Sequence, residues 1–393
     1  MNDGGAMMDH ELKYDKIRRE LAGLGADAIL LAGNMNLYYT TGRIVNGYFY
    51  LPMEGAPVLF ARLPGGVPDA VKIRKPEQIP DILQERGYRL PKRLLLDEGD
   101  ITADEWLRLC AIFADTECLG GTGCMRKVRS VKTPQEIERI REGARKHAEV
   151  TAQYPSLYRP GMSDLEFSAA MEHFARINGH LGIFRTFGFR MEAYMGTVLA
   201  GENGGVPSPY DFALGGAGSD SLPLGVRNQR MEDGESVMAD ISGNFNGYLT
   251  DISRTYSIGR LPDEAYRAHA VSLEIQQYLM ERAKEGACTG ELYEDAVRIA
   301  ASNGLADCFM GLGQKAKFIG HGVGLQINEL PVIAKNSRSL LEAGNVIALE
   351  PKFVLEGIGA VGTENTYLVT DAGLELLTDC PQDLINLLDI KEC

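Results

Sequence analysis

The sequence predicts two domains, an α/β domain followed by a larger domain of helices and antiparallel hairpins. A chain of 393 residues is longer than one hydrophobic core usually organises. Strand-like and helix-like segments alternate in the first third of the chain, as is typical of α/β proteins. In the C-terminal half, two pairs of carboxylates flank glycine-containing turns, which indicates two hairpins.

The N-terminal domain is predicted at residues 1–125. A helix is expected near its start, because Ile17, Leu21 and Leu24 recur at helical spacing. The segment DAILL at 27–31, apolar from Ala28 onward, then predicts a buried strand. The next elements, in chain order, are expected to be a strand at 58–61, a helix at 79–86 and a strand at 93–96.

A short basic linker is predicted at residues 126–132, and the second domain at 133–393. Thr133 begins a capping-box pattern that starts a helix, with proline at the next position and Glu136 three residues on. The remaining elements are a second capped helix from Ser163 to about residue 177, a long loop at 201–225, and helices at about 262–284 and 291–303.

Composition limits the class of protein. The hydrophobic content of 45% and charged content of 24% are ordinary for a soluble globular chain, and the net charge of -14 argues against a nucleic-acid surface. The N-terminus lacks the pattern of a secretory signal, and the apolar stretch at 28–32 is too short to cross a membrane. Seven cysteines without a CxxC motif suit reduced thiols, so a cytoplasmic protein is expected.

The carboxylate pairs are the strongest chemical signal in the sequence. Asp240 and Asp251 flank the turn sequence GNFNG, and Glu350 and Glu364 flank EGIG. Residues equidistant from the centre of an antiparallel hairpin face each other, with Cβ atoms about 5 Å apart. Like charges opposed in this way need a proton, a basic partner or a metal cation. With His321 between the pairs in the chain, the pattern predicts a metal site.

His321 lies in the stretch FIGHGVG at 318–324, where the flanking glycines are expected to let the backbone approach a ligand. The ordered set Asp240, Asp251, His321, Glu350 and Glu364, called the five-ligand set below, resembles the metal ligands of the creatinase/aminopeptidase (pita-bread) family. The resemblance covers most of residues 133–393 and is to the prolidase (Xaa-Pro dipeptidase) and aminopeptidase P branch. The N-terminal domain, including LYYTTG at 37–42, is similar to the additional domain of that branch.

The resemblance implies a creatinase-like N-terminal α/β domain and an α+β pita-bread catalytic domain with a curved antiparallel sheet. It also implies two divalent ions (Mn, Co, Fe or Zn, with Mn favoured). Asp240 would bind one ion, His321 and Glu350 the other, and Asp251 and Glu364 would bridge them. Glu350 would be the catalytic base toward a metal-bridging water. The expected protein is a homodimeric hydrolase that cleaves a small peptide or amide, most simply an Xaa-Pro peptide.

Three positions depart from the family pattern. Asn328, in NELP, stands where the family carries a histidine, Leu224 stands at a second histidine position, and Gly362 stands where an arginine is often found. Asn328 is expected to bind substrate by donating a hydrogen bond, although it cannot carry a proton. Two alternatives therefore stay open: a non-peptide amide hydrolase or lyase on the same fold, and a non-catalytic metal-stabilised binding protein.

Four further polar residues receive weaker expectations. His180 could replace a missing histidine, although packing is the simpler role. Arg254 is expected to orient carboxylates or tie its strand, and Asn365 to support the metal ligands. Tyr248 is expected to pack in the first hairpin.

Overall fold

The computed structural model describes residues 3–62, 67, 69–189 and 191–390, with the backbone alone for residues 3–8. The chain divides after Arg129 into two compact units. This division falls in the segment predicted as a linker, most of which belongs to helix α5 (Thr122–Ser130). Among the described helices, none is long and apolar enough to cross a membrane.

The first unit contains a six-stranded mixed sheet in the order β4-β3-β2-β1-β5-β6. The central strand β1 pairs antiparallel with β2 and parallel with β5, and all of its residues are buried. The strands are β1 (Ala28–Leu31), β2 (Gly47–Pro52), β3 (Val58–Ala61), β4 (Val71–Lys72), β5 (Arg93–Leu96) and β6 (Glu117–Gly120). The helices before α5 are α1 (Asp3–Leu24), α2 (Asn34–Thr41), α3 (Ile79–Glu85) and α4 (Ala103–Ile112). The predicted α/β class and each predicted element of this unit are confirmed.

The second unit contains three sheets, with orders β17-β9-β8-β7, β11-β10-β12-β15-β16 and β13-β14. Their neighbouring strands are antiparallel except for the β17 and β9 pair. The strands are β7 (Gly196–Ala200), β8 (Ser236–Asn244), β9 (Leu249–Ser257), β10 (Phe318–Gly322), β11 (Glu329–Ala334), β12 (Val346–Leu349), β13 (Lys352–Leu355), β14 (Gly359–Gly362), β15 (Asn365–Val369), β16 (Leu374–Leu376) and β17 (Ile385–Asn386). Helices and antiparallel sheets thus form the predicted α+β unit.

The helices of this unit begin where the sequence predicts them. Helices α6 (Pro134–Thr151) and α7 (Asp164–Ile177) both start at capping boxes. In each box, the side chain of the cap residue accepts a hydrogen bond from the backbone N–H three residues on, and the glutamate there accepts one from the backbone N–H of the cap residue. Helices α8 (Asp263–Arg282) and α9 (Thr289–Ser302) pack into a hydrophobic core of this unit. The predicted loop begins with a 3-10 turn at Gly201–Gly205 and has no further helix or strand through residue 225.

The first acidic hairpin forms, but its predicted register is wrong by two residues. Asp240 lies opposite Ser253, and Asp251 lies opposite Ser242. The cause is the turn, which leaves 245–248 outside the ladder and is held by a hydrogen bond from Gly247 N to the Asn244 side chain. Because strand side chains alternate with a period of two, this shift keeps both aspartates on one face, where they are diagonal neighbours.

The second hairpin is divided into two ladders. One ladder ends at the pair of Leu349 with Asn365, and the other begins at the pair of Lys352 with Gly362. Both ladders have the same register, so the glutamates predicted to be opposed lie across from each other in the gap. Backbone groups in that gap cannot bond across the hairpin and need other partners.

Helix α8 supplies those partners. Ser272 Oγ donates to Pro351 O at 2.6 Å, and Gln276 Nε2 donates to Thr363 O at 2.8 Å. Ser253 of the first hairpin forms an isolated antiparallel bridge with Glu364. The two acidic hairpins therefore meet at the gap, and helix α8 closes it.

We expect the Gln276→Leu variant to lose about 1 to 3 kcal/mol of unfolding free energy, because buried polar groups lose their partner. Gln276 Oε1 also accepts from Asn365 Nδ2 at 2.9 Å and from Tyr367 Oη at 2.5 Å. Gln277→Leu is the matched control, since Gln277 is exposed on the same helix. Urea unfolding of the two variants measures the difference, and equal losses would contradict the role given to Gln276.

Candidate metal centre

Three carboxylates surround the imidazole of His321, which lies on strand β10 between β11 and β12. Its Nε2 atom is 3.9 Å from Asp251 Oδ2, 3.7 Å from Glu350 Oε1 and 4.0 Å from Glu364 Oε1. These separations are too long for hydrogen bonds. They do match ligand atoms around one ion, which lie roughly 3.0 to 4.2 Å apart when each bond is about 2.1 Å. The structure thus brings these predicted ligands together at separations that suit a shared cation.

Glu364 supplies the clearest sign that this site suits a cation. Its side chain is 1% exposed, and its Oε1 atom has no hydrogen-bond partner among the described residues. A buried carboxylate oxygen without a partner is costly, so a ligand that satisfies it is expected. Asp251, His321 and Glu364, called the histidine group below, can each direct a ligand atom to one ion. This group fits a divalent metal.

Asp240, Glu350 and Glu364, called the lysine group below, also converge. Here, however, the Nζ atom of Lys352 lies among the carboxylates, at 2.7 Å from Asp240 Oδ2, 2.7 Å from Glu350 Oε2 and 3.0 Å from Glu364 Oε2. The Lys352 side chain is fully buried. As it stands, the lysine group does not fit a second ion, because the ammonium group fills the position.

Lys352 is the site residue that sequence reasoning missed. The signal was present in ALEPKF, where a lysine lies within a run of buried apolar residues two positions after Glu350. Residues two apart in extended chain face the same side, so Lys352 was a candidate basic partner for the opposed glutamates.

Burial and neighbouring like charges raise the pKa values of two acids in the site. Burial raises the pKa of Asp251 well above its usual value, and the Glu364 and Asp240 carboxylates raise it further. Burial also raises the pKa of Asp240, although the Lys352 ammonium opposes this shift. For Lys352, burial lowers the pKa, but the surrounding carboxylates outweigh it and hold the pKa well above the usual value. Lys352 is therefore a cation at neutral pH.

Comparison with known proteins identifies the family. The profile of Metallopeptidase family M24 matches residues 138–371, which is more than half of the chain, and the Creatinase/Prolidase N-terminal domain profile matches residues 13–131. The chain belongs to metallopeptidase family M24. The predicted family resemblance is thus confirmed, and with it the assignment of the chain to a family of hydrolases.

Individual relatives of this M24 chain cover it almost completely. The Xaa-Pro dipeptidase of Pyrococcus furiosus is 26% identical over 383 residues, which are 95% of this chain and 99% of that protein. Among solved structures, the Xaa-Pro dipeptidase from Bacillus anthracis has a TM-score of 0.79 at 24% identity, covering 96% of this chain and 100% of that one. The X-Pro aminopeptidase from Thermotoga maritima has a TM-score of 0.77 at 21% identity, with coverages of 94% and 99%. These structures share the fold of the M24 chain.

The side chain of the predicted substrate residue Asn328 forms two hydrogen bonds with the protein backbone. Its Oδ1 atom accepts from Phe187 N at 2.7 Å, and its Nδ2 atom donates to Phe187 O at 2.9 Å. Gln326 Nε2 donates to Thr186 O, and Ile327 N donates to Arg185 O. In this M24 chain, residues 326–328 thus hold the segment 185–187 in place, and substrate binding by Asn328 stays a prediction.

The other departures have structural consequences. Gly362 has a φ of 144°, and a Cβ atom there would lie 2.7 Å from Pro351 O and 3.0 Å from Lys352 Cα. A side chain at this position would therefore have no room, while Lys352 lies directly across the ladder. Leu224 is a buried apolar residue. The glycines beside His321 allow close strand packing, since a Cβ on Gly320 would lie 2.4 Å from Ala348 O.

His180 does not join the five-ligand set. Its Nε2 atom is 3.1 Å from Ser242 O, and its Nδ1 atom accepts from Gly182 N at 2.9 Å. The ring also packs edge-on against Phe245. Burial lowers its pKa to about 4. His180 is thus a neutral packing residue in the folded protein at neutral pH.

The remaining polar candidates support the strands. Arg254 donates to Glu364 O and to Asn365 Oδ1, both at 2.8 Å, and so ties two strands together. The Asn365 side chain bonds other polar side chains and no ligand carboxylate among the described contacts. Tyr248 Oη donates to Glu136 Oε1 at 3.1 Å, which links the first hairpin to the start of helix α6.

We expect His180 to make the protein lose stability as the pH falls from about 6.5 toward 4. An unfolded histidine has a pKa of about 6.5, so in this range the unfolded chain binds a proton that folded His180 excludes. The loss approaches about 1.4 kcal/mol per pH unit for one such group. The His180→Gln variant should show a smaller slope in urea unfolding between pH 7 and 4.5.

The matched control is His173→Gln, because His173 is exposed on helix α7. It should retain the slope of the unmodified protein. If His180→Gln retains the same slope, the neutral packing role is wrong.

Proposed function

We propose that this chain is a metal-dependent hydrolase that cleaves a short peptide or small amide with the help of a divalent ion held by the histidine group. The observation that carries the proposal is the convergence of ligand atoms around the unpartnered, buried Oε1 atom of Glu364. Mixed carboxylate and imidazole ligands suit Mn, Co, Fe or Zn, and we favour Mn.

The first substrate class to consider is an Xaa-Pro dipeptide or a longer peptide with proline in second position. Support comes from membership of family M24 and from the relatives named as Xaa-Pro dipeptidases. We also propose the cytoplasm as the site of action, where the free thiols of the six described cysteines would stay reduced. The homodimer remains part of the proposal and can be checked by light scattering on the purified protein.

Glu350 has the geometry of a general base. Its Oε2 atom is fixed by Lys352, while its Oε1 atom faces His321 Nε2. The bound ion would supply Lewis acidity, which polarises a carbonyl and makes water more acidic. The Oε1 atom of Glu350 can then accept the proton of the attacking water and deliver it to the leaving amine. The ion pair with Lys352 holds the carboxylate in the orientation that this transfer needs.

A second candidate function is hydrolysis or elimination on a non-peptide amide. Two observations favour it: Asn328 is engaged with Phe187, and Leu224 is buried and apolar. Neither residue can carry a proton, so the two histidine positions of the family contribute no acid or base here. The same centre would then act on a substrate whose cleavage needs no acid or base at positions 224 and 328.

We expect Asp251→Asn and His321→Ala to abolish Mn²⁺ binding measured by titration calorimetry, because each removes a member of the histidine group. Glu350→Gln should lower kcat by about 10²- to 10⁴-fold, the usual contribution of a general base. Asp263→Asn is the matched control, since Asp263 is an exposed residue that forms an ion pair with Arg260. It should retain both binding and turnover.

The substrate panel for this measurement contains Xaa-Pro dipeptides, Xaa-Pro tripeptides and N-acyl amino acids. Cleavage of the proline peptides supports the first function, and cleavage of the N-acyl compounds alone supports the second. Mn²⁺-loaded protein that cleaves none of them would contradict the proposed hydrolase.

A further inference from the structure

We propose that Lys352 is a built-in cation that takes the place of one metal ion, so that the centre holds a single divalent ion per chain. The proposal rests on the proposed function for the ion in the histidine group. It goes further by assigning a different chemistry to the lysine group, where an ammonium group of the protein replaces a metal. Lys352 is thereby a positioning residue, which acts through the carboxylates that it holds.

The geometry of Lys352 Nζ is complete without any further ligand. An ammonium group has three N–H donors, and three carboxylate oxygens lie 2.7, 2.7 and 3.0 Å away. These are the lengths of charge-assisted hydrogen bonds, which are about 2.7 to 2.9 Å. A metal bound by the same oxygens would lie about 2.0 to 2.2 Å from each of them. It would therefore require the space that Nζ fills.

The charges are compatible with the same arrangement. The centre contains four carboxylates, and Lys352 together with one divalent ion offsets three of their four negative charges. The position of Nζ, and not the charge count, is what excludes the second ion.

The main chain holds the lysine at this place. Lys352 O accepts from Met310 N at 2.9 Å, and strand β13 pairs with β14 directly at Lys352 and Gly362. Since Gly362 lacks a side chain, the two strands approach closely beside the Lys352 Cα atom. The ammonium group is thus directed into the acids by a fixed backbone.

The two aspartates of the first hairpin consequently have different roles. Asp240 bonds Lys352, whereas Asp251 belongs to the histidine group. If both aspartates held metal, removing either charge would weaken metal binding. If Lys352 replaces one ion, the bound ion depends on Asp251 and is insensitive to Asp240.

The test counts Mn²⁺ per chain by native mass spectrometry and by elemental analysis, after equilibration with excess Mn²⁺ and removal of free ion. The unmodified protein should hold one ion, Asp240→Asn should also hold one, and Asp251→Asn should hold none. Two ions on the unmodified protein, or loss of the ion in Asp240→Asn, would overturn the proposal. This comparison needs no change at Lys352.

Lys352→Ala should bind one more ion than the unmodified protein, because it opens the space and removes the competing charge. Lys132→Ala is the matched control, since Lys132 is another buried lysine, paired with Glu329 at 3.0 Å, and it should leave the count unchanged. A folded Lys352→Ala protein with no additional ion would overturn the proposal. A count of zero on the unmodified protein would instead contradict the proposed function, while a gain of one in Lys352→Ala would still support the replacement.

Discussion

The buried ammonium group of Lys352 is the interaction on which the centre depends. Asp240, Glu350 and Glu364 are held together by the fold, and without a cation their charges would repel each other in surroundings that solvate them poorly. Lys352 compensates one part of that charge with three hydrogen bonds. Removing one partner of a buried ion pair is typically far more costly than the net gain from forming it, because the remaining charge is left uncompensated. The protein thus carries a permanent cation where its family resemblance implies an exchangeable one.

The architecture makes this arrangement possible by interrupting a hairpin. Where the ladder between the last two acidic strands stops, Glu350 and Glu364 remain opposed, while their backbone neighbours bond to helix α8. Ser253 then joins the first hairpin to Glu364 through its backbone and through its hydroxyl group, which donates to Oε2 at 2.6 Å. Helix, hairpins and acids therefore form one unit, so a change in the helix should reach the carboxylates.

Local patterns allowed much of the fold to be predicted from the sequence. The capping boxes at Thr133 and Ser163 determine helix starts through contacts within four residues, and both form as expected. The predicted register of the first hairpin is wrong, because the register depends on how Asn244 and Gly247 close the turn. Symmetry about the turn sequence does not reveal this contact. The motif around Asn328 predicts a contact with substrate. It could not predict the hydrogen bond of Asn328 with Phe187, which is 141 residues away in the chain. Long-range polar pairs of this kind have no local signature.

The candidate site was predicted through residue types that bind metal, and that is also why Lys352 was overlooked. Both carboxylate pairs are predicted to need a proton, a basic partner or a metal. In the structure, the histidine group and the lysine group meet this need in different ways. In the histidine group the acids converge with the His321 imidazole at a Glu364 oxygen that has no hydrogen-bond partner among the described residues, and in the lysine group they converge on an amine of the protein itself. An ammonium group whose three N–H bonds are all directed to carboxylates cannot also polarise a substrate carbonyl or accept a lone pair from a substrate amine. If Lys352 replaces one ion, the activation of the substrate would come from the ion in the histidine group and from Glu350. Such a centre would suit substrates whose cleavage needs one Lewis acid and one base.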